Sequence, residues 1–200
     1  ASTTPTGKGV VLTYSGNHTT VGSYIVTGTV NDINYDGSGT ATFTINKATP
    51  QITKLPDASD IEYGRSLASS RLYGGIADVS GTFSFTVPST IPVNMGPANQ
   101  TVTFTPTDTT NYNTTTTHAS VTVVRAIPTI IAGIYALPIT LGQALTSSKI
   151  YGTARNRADK DISGTFAFVE STAVLPVGTS SKNVTFTPTD DIHYTTSTGP

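Results

Sequence analysis

The chain has 200 residues, a formal net charge of −1 and only 12% charged side chains. No basic stripe is available for phosphate, which argues against a nucleic-acid partner, and with no cysteine both disulfides and thiolate chemistry are excluded. The longest apolar run, Ala126–Ile139, is broken by two prolines and is too short to span a bilayer, so no membrane insertion is expected in this segment.

Threonine dominates, with 40 Thr and 19 Ser, while Glu and Lys are scarce. Branched and aromatic side chains pack well on a pleated surface, and no long segment carries a 3.6-residue period, so the chain reads as all-β. In chain order, Thr40–Asn46 (TATFTIN) places Ala41, Phe43 and Ile45 on one face and threonines on the other. Thr101–Asp108 (TVTFTPTD) points Val102 and Phe104 inward, and Ala119–Val124 (ASVTVV) points Val121 and Val123 inward. Period two with one apolar face is the pattern of a half-buried antiparallel strand. Gly, Pro, Asn and Asp clusters separate such runs, as in sandwiches and barrels.

The chain repeats itself. TFTPTD recurs at Thr103 and Thr185, SGTF at Ser80 and Ser163, and YGRSL at Tyr63 becomes LGQAL at Leu141. KATPQIT at Lys47 becomes RAIPTII at Arg125. The spacing is about 78 residues, the size of one small β-domain. Three units are expected: 1–48, partial; 49–126; and 127–200, lacking its last strand. The joints Ala48-Thr49-Pro50 and Ala126-Ile127-Pro128 are short and carry proline, which restricts swing and predicts a semi-stiff rod. The open outer units read as a window from a longer array, or as ends that complement each other between molecules.

The segment Asp32-Ile33-Asn34-Tyr35-Asp36-Gly37 has the spacing that opens a calcium loop, which makes Asp32 and Asp36 candidate ligands. Such a loop needs a bidentate carboxylate at its twelfth position, and that position is Phe43. Across the repeats Asp32/Tyr35 returns as Asp108/Tyr112 and Asp190/Tyr194, whereas Asp36 does not return as an acid. What persists is an Asp before a Tyr at the entrance to the last strand. That predicts a structural corner with a buried, backbone-bonded tyrosine rather than a metal centre, and no cofactor is expected.

The stretch Val10–Thr53 resembles the second half of the MBG-type repeat of large bacterial surface proteins. Residues from Ala58 (ASDIEYGRSLASSRLYGG) through VTFTPTDTTNYNTTTTHASVTV resemble the bacterial Ig-like repeats that often follow it. The resemblance implies tandem Ig-like Greek-key β-sandwiches, a stalk or spacer role at the cell surface or outside the cell, and no catalytic residues. The partners it implies are neighbouring repeats or copies of the same chain, with a host or matrix glycan or protein as the further candidate.

Other chemistry is thin. His18, His118 and His193 lie in separate units and read as exposed loop residues. Acid pairs such as Asp57/Asp60 and Asp159/Asp161 could act as acid and base, but nothing in the sequence desolvates them. TGKG at Thr6 lacks the upstream glycine frame of a phosphate loop. Four N-x-S/T sequons, at Asn17, Asn99, Asn113 and Asn183, match chance for so Thr-rich a chain. Lys54, Lys149 and Lys182 are candidates for isopeptide links, and the T-x-T rows at Thr40, Thr101 and Thr185 for a lattice-binding face. The candidate binding loop is the charged insertion of the last repeat, Arg155, Asn156, Arg157, Ala158, Asp159, Lys160 and Asp161.

Overall fold

The computed structural model describes residues 6–200. It is all-β: apart from two three-residue 3-10 turns, Leu67–Ser69 and Leu145–Ser147, its regular structure is strand. The chain gathers into two compact units. One comprises Ala1–Leu55, Gly75–Ser84 and Thr103–Thr117; the other comprises Pro56–Gly74, Phe85–Val102 and His118–Pro200.

In the first unit β1 (Val10–Tyr14), β2 (Gly22–Val30) and β3 (Ser38–Ile45) form an antiparallel meander. The predicted alternation holds at Phe43 and Ile45, which are half-buried, and at Thr40, Thr42 and Thr44, which are exposed; Ala41 is also exposed. Pairing of β2 with β3 sets Thr27 opposite Thr40 and Ser23 opposite Thr44, whose hydroxyls lie 3.3 Å apart. Threonine carries the solvent face because it combines strand propensity with a polar tip. A short pair, β4 (Ile52–Lys54), lies antiparallel to a strand near Ile76 that is numbered below as β8.

The strands that follow are β5 (Asp57–Ala58), β6 (Ile61–Glu62), β7 (Leu72–Tyr73), β8 (Ile76–Ala77), β9 (Gly81–Phe85), β10 (Gly96–Pro106) and β11 (Thr115–Val124). A four-stranded sheet has the order β6-β11-β10-β9, and β6 joins β11 in parallel, with Ile61 opposite Val123. The strongest core is here: Val102, Phe104, Val121 and Val123 are at most 2% exposed, as their alternation predicted. Phe83 packs against Phe104 with ring centroids 4.9 Å apart, and the pair recurs as Phe166 and Phe186 at the same distance.

The last repeat contains β12 (Thr129–Ala136), β13 (Ile150–Arg155), β14 (Gly164–Phe168), β15 (Val184–Pro188) and β16 (Ser197–Gly199). β12 pairs with β13, and β14-β15-β16 form a sheet. Ser197–Gly199, which align with the first residues of β11, form β16 and pair with β15 from Val184 to Phe186.

Candidate functional site

The repeated Asp-to-Tyr segment builds the same turn twice. In the first unit Asp108 Oδ1 accepts the backbone N–H groups of Thr110 and Asn111 at 3.0 and 3.1 Å, and Oδ2 accepts the Asn111 side-chain amide at 2.7 Å. An aspartate that closes its own following backbone this way makes an Asx turn. The Asn111 amide, then the backbone donors, hold the Asp108 carboxyl below the usual carboxylate range. In the second unit Asp190 Oδ1 accepts the His193 backbone N–H at 3.1 Å, and His193 Nδ1 lies 2.8 Å from Asp190 Oδ2. Hydrogen bonding to His193 likewise lowers the Asp190 pKa.

The joints end in these turns. Ala48 N–H donates to the Asn111 carbonyl (2.9 Å), and Asn113 N–H donates to the Ala48 carbonyl (2.8 Å), a parallel rung between Ala48 and Tyr112. Lys47 Nζ adds a bond to the Thr109 carbonyl at 2.7 Å, and Asn111 Oδ1 receives the Val21 N–H at 2.8 Å. The second joint repeats the rung: Ala126 donates to the His193 carbonyl (2.9 Å) and accepts from Thr195 (3.0 Å), opposite Tyr194. The residue just before each joint's X-Pro pair is thus locked into a capped turn far along the chain.

The tyrosine expected to be buried is not. Tyr35 is 45% exposed, and Tyr112 and Tyr194 are half-buried. The corner is held by the aspartate and the backbone. Tyr35 lies under Lys8 Nζ, 4.3 Å from its ring centroid, and Tyr194 Oη takes a long 3.5 Å contact from the Asn156 amide. At the candidate calcium segment, Asp32 accepts the Asn34 N–H at 2.9 Å and pairs with Lys8 at 3.1 Å, while Asp36 is exposed. No group of three or more His, Asp or Glu side chains converges on a metal-sized site among the described residues.

Two of the three histidines depart from the expected exposed loop. His18 is half-buried among Tyr14, Tyr24 and Phe43, with centroids 5.2 to 5.9 Å away, and its Nε2 lies 2.9 Å from the Ser15 carbonyl. His193 stacks on Tyr63 at 4.1 Å. His118 is exposed. Tyr24, Phe43 and Tyr63 reach these histidines from segments distant from or beyond their own turns, so apart from Tyr14 no local sequence pattern announced the contacts.

The candidate binding loop is folded onto its own charges. Arg155 Nε bonds Asp161 at 2.8 Å and its Nη1 reaches Asp159 at 3.2 Å, which raises the Arg155 pKa, Asp161 first. Asn156 Oδ1 accepts the N–H groups of Ala158 and Lys160, and Asp159 adopts a left-handed φ of 58° to close the turn. Arg157 grips Glu62 Oε2 through Nε and Nη2 at 3.2 and 3.0 Å, beside Arg65 at 3.2 Å. Burial pulls the Glu62 carboxyl upward, but the two guanidiniums outweigh it and leave the pKa lowered. Four of the loop's charges therefore serve intrachain pairs; Lys160 is exposed. Of the isopeptide candidates, the half-buried Lys182 pairs with Glu170 at 2.7 Å and the exposed Lys149 lies over the Tyr151 ring.

The sheets, capped turns and returning core aromatics define an all-β repeat protein. Residues 1–49 match the family described as MBG domain, so the N-terminal part of the chain is similar to an MBG-type repeat. No curated protein matches the chain. No helix among the described residues is long and apolar enough to cross a membrane.

Proposed function

We propose that the chain is a non-catalytic structural module of a prokaryotic surface protein, a stalk or filament segment lying outside the cell. In this reading residues 49–126 and 127–200 are tandem Ig-like Greek-key sandwiches that follow the MBG-type module. The observation that carries it is the recurrent rung. Ala48 and Ala126 each begin the next repeat by pairing in parallel with a capped turn beside Tyr112 and Tyr194. Joints of that kind transmit load through backbone hydrogen bonds rather than through slack linker. The partners are then neighbouring repeats or other copies of the chain.

Mechanical unfolding tests this. With the chain held by its two ends in a single-molecule force instrument, discrete force peaks are expected, one for each cooperatively opening unit. Extension at low force without peaks would sink the stalk reading. Electron microscopy at several concentrations separates its two forms, since an isolated segment gives short particles and a filament subunit gives regular fibres. The alternative of an adhesin that binds glycan or protein through Arg155–Asp161 draws little support from a loop whose arginines and aspartates are already paired.

A further inference from the structure

A cleft of about 210 Å³ opens in the second unit beside the charged insertion. Part of its lining is aromatic. The Tyr63 and Tyr194 rings stand edge to face, 5.7 Å apart and at 88°, and His193 stacks on Tyr63 at 4.1 Å. Another part is aliphatic: Ile91, Val93 and Ile127 are 54%, 69% and 65% exposed. Three large aliphatic side chains round one hollow form an exposed apolar patch, and such a patch rimmed by polar groups marks a binding surface.

The polar rim comes from the insertion, and it offers donors. Arg157, the one charged residue of the lining, spends Nε and Nη2 on Glu62 and keeps Nη1. Glu62 is shared with Arg65, so two guanidiniums meet one carboxylate and positive charge is left over. Asn156 has committed Oδ1 to the Ala158 and Lys160 N–H groups, while its amide makes only a long 3.5 Å contact to Tyr194 Oη. Unspent donors beside apolar walls call for an acceptor with negative charge on an apolar body. Sites for drug-sized molecules run to about 300–1,000 Å³, so this smaller cleft suits a body of about one amino-acid residue.

We propose that the cleft is a binding site for a carboxylate carried on a small apolar body. The carboxylate meets Arg157 Nη1 and the Asn156 amide, and the body lies among Ile91, Val93 and Ile127 against the two tyrosine rings. The last residue of a peptide and a free aliphatic acid share this chemistry. The loop's ion pairs stay in place, since the ligand uses only the donors they leave over. The inference stands apart from the stalk reading, because a small-ligand cleft in one unit is compatible with any role of the whole protein.

The test is an amide-shift titration of the 200-residue chain with N-acetyl-leucine, isocaproate and N-acetyl-leucinamide. Saturable shifts at Tyr63, Ile127 and Asn156–Ala158 are expected with the two acids, and the uncharged amide should bind at least about fivefold more weakly. Tighter binding of N-acetyl-leucine than of isocaproate assigns the source to a peptide end, and equal or weaker binding assigns it to a free acid. Arg157→Ala should erase the preference for acid over amide. Because that variant also releases Glu62, Val93→Asp is the second: it leaves the ion pairs alone, sets a like charge in the apolar wall and should weaken both acids at least about fivefold. The proposal is overturned if neither acid gives saturable shifts at these residues, if acid and amide bind equally, if Arg157→Ala keeps the preference, or if Val93→Asp binds as the parent does.

Discussion

Replacing Gly81 by alanine should destabilise its unit sharply, and the structure fixes the sign. A Cβ built on Gly81 falls within 3 Å of the Phe104 ring and the Thr105 carbonyl oxygen. Neither can retreat: Phe104 is 1% exposed and packed on Phe83, and Thr105 belongs to β10. Overpacking of this kind costs roughly 1–3 kcal/mol. For a unit of this size that lowers Tm by about 5–15 °C. Gly39 is the matched control. It also lies within a strand, yet nothing stands within 4 Å of its added Cβ and its φ is ordinary. There alanine removes only unfolded-state freedom and should stabilise by about 0.4–1 kcal/mol. Scanning calorimetry of both variants decides the matter. If Gly81→Ala melts within a degree of the parent, or if Gly39→Ala loses more stability than Gly81→Ala, the packing argument is wrong. The repeat gives an internal duplicate, since Gly164 meets Phe186 and Thr187 in the same way.

Three further outcomes follow from the capped turns and the charged loop. Asp108 and Asp190 have lowered folded-state pKa values, so the stability they contribute is full above the ordinary aspartate range near pH 3.9 and is lost as pH falls through their folded values. Urea midpoints should therefore hold steady at neutral pH and drop in acid, and Asp108→Asn should flatten that acid limb; an unchanged limb would remove the caps from the account. Arg157→Ala should cost under about 1 kcal/mol, as exposed ion pairs do, and the cost should shrink in 1 M salt. A salt-independent loss would mean that Arg157 acts through packing. Millimolar calcium should leave thermal unfolding unmoved, because Asp32 already serves Lys8 and the Asn34 N–H; a calcium-dependent rise abolished by Asp32→Asn would reinstate the metal reading.

Alternation and internal repetition made the core legible in advance. Val102, Phe104, Val121 and Val123 are inward because a strand's side chains alternate strictly, and that arithmetic needs no tertiary information. The Asp-to-Tyr repeat marked the right turns, yet the wrong residue was expected to hold them. A sequence places Tyr35 near a corner without saying whether another layer covers it, and here none does. The histidines were misread for a related reason, since the rings around His18 come from three strands brought together by sheet pairing. The charged insertion looked available because pairing at a distance is invisible in sequence. Arg157 finds Glu62 across 95 positions. Only the Arg155–Asp159 spacing carried a local hint that the loop would close on itself.

The rungs at Ala48 and Ala126 also set an order of events during synthesis. Lys47 and Ala48 cannot be seated until Thr109 and Tyr112 have been made, and Lys47 waits 62 residues for its acceptor. A ribosome therefore releases each joint as a loose thread and sees it sewn in only when the repeat beyond is almost complete. The chain should harden from its start towards its end in discrete clicks, with one unsewn seam trailing the growing tip at any moment. For anyone cutting these repeats apart, the scissors belong before Lys47 and before Arg125. A cut after the prolines removes the first stitch of the repeat it was meant to preserve.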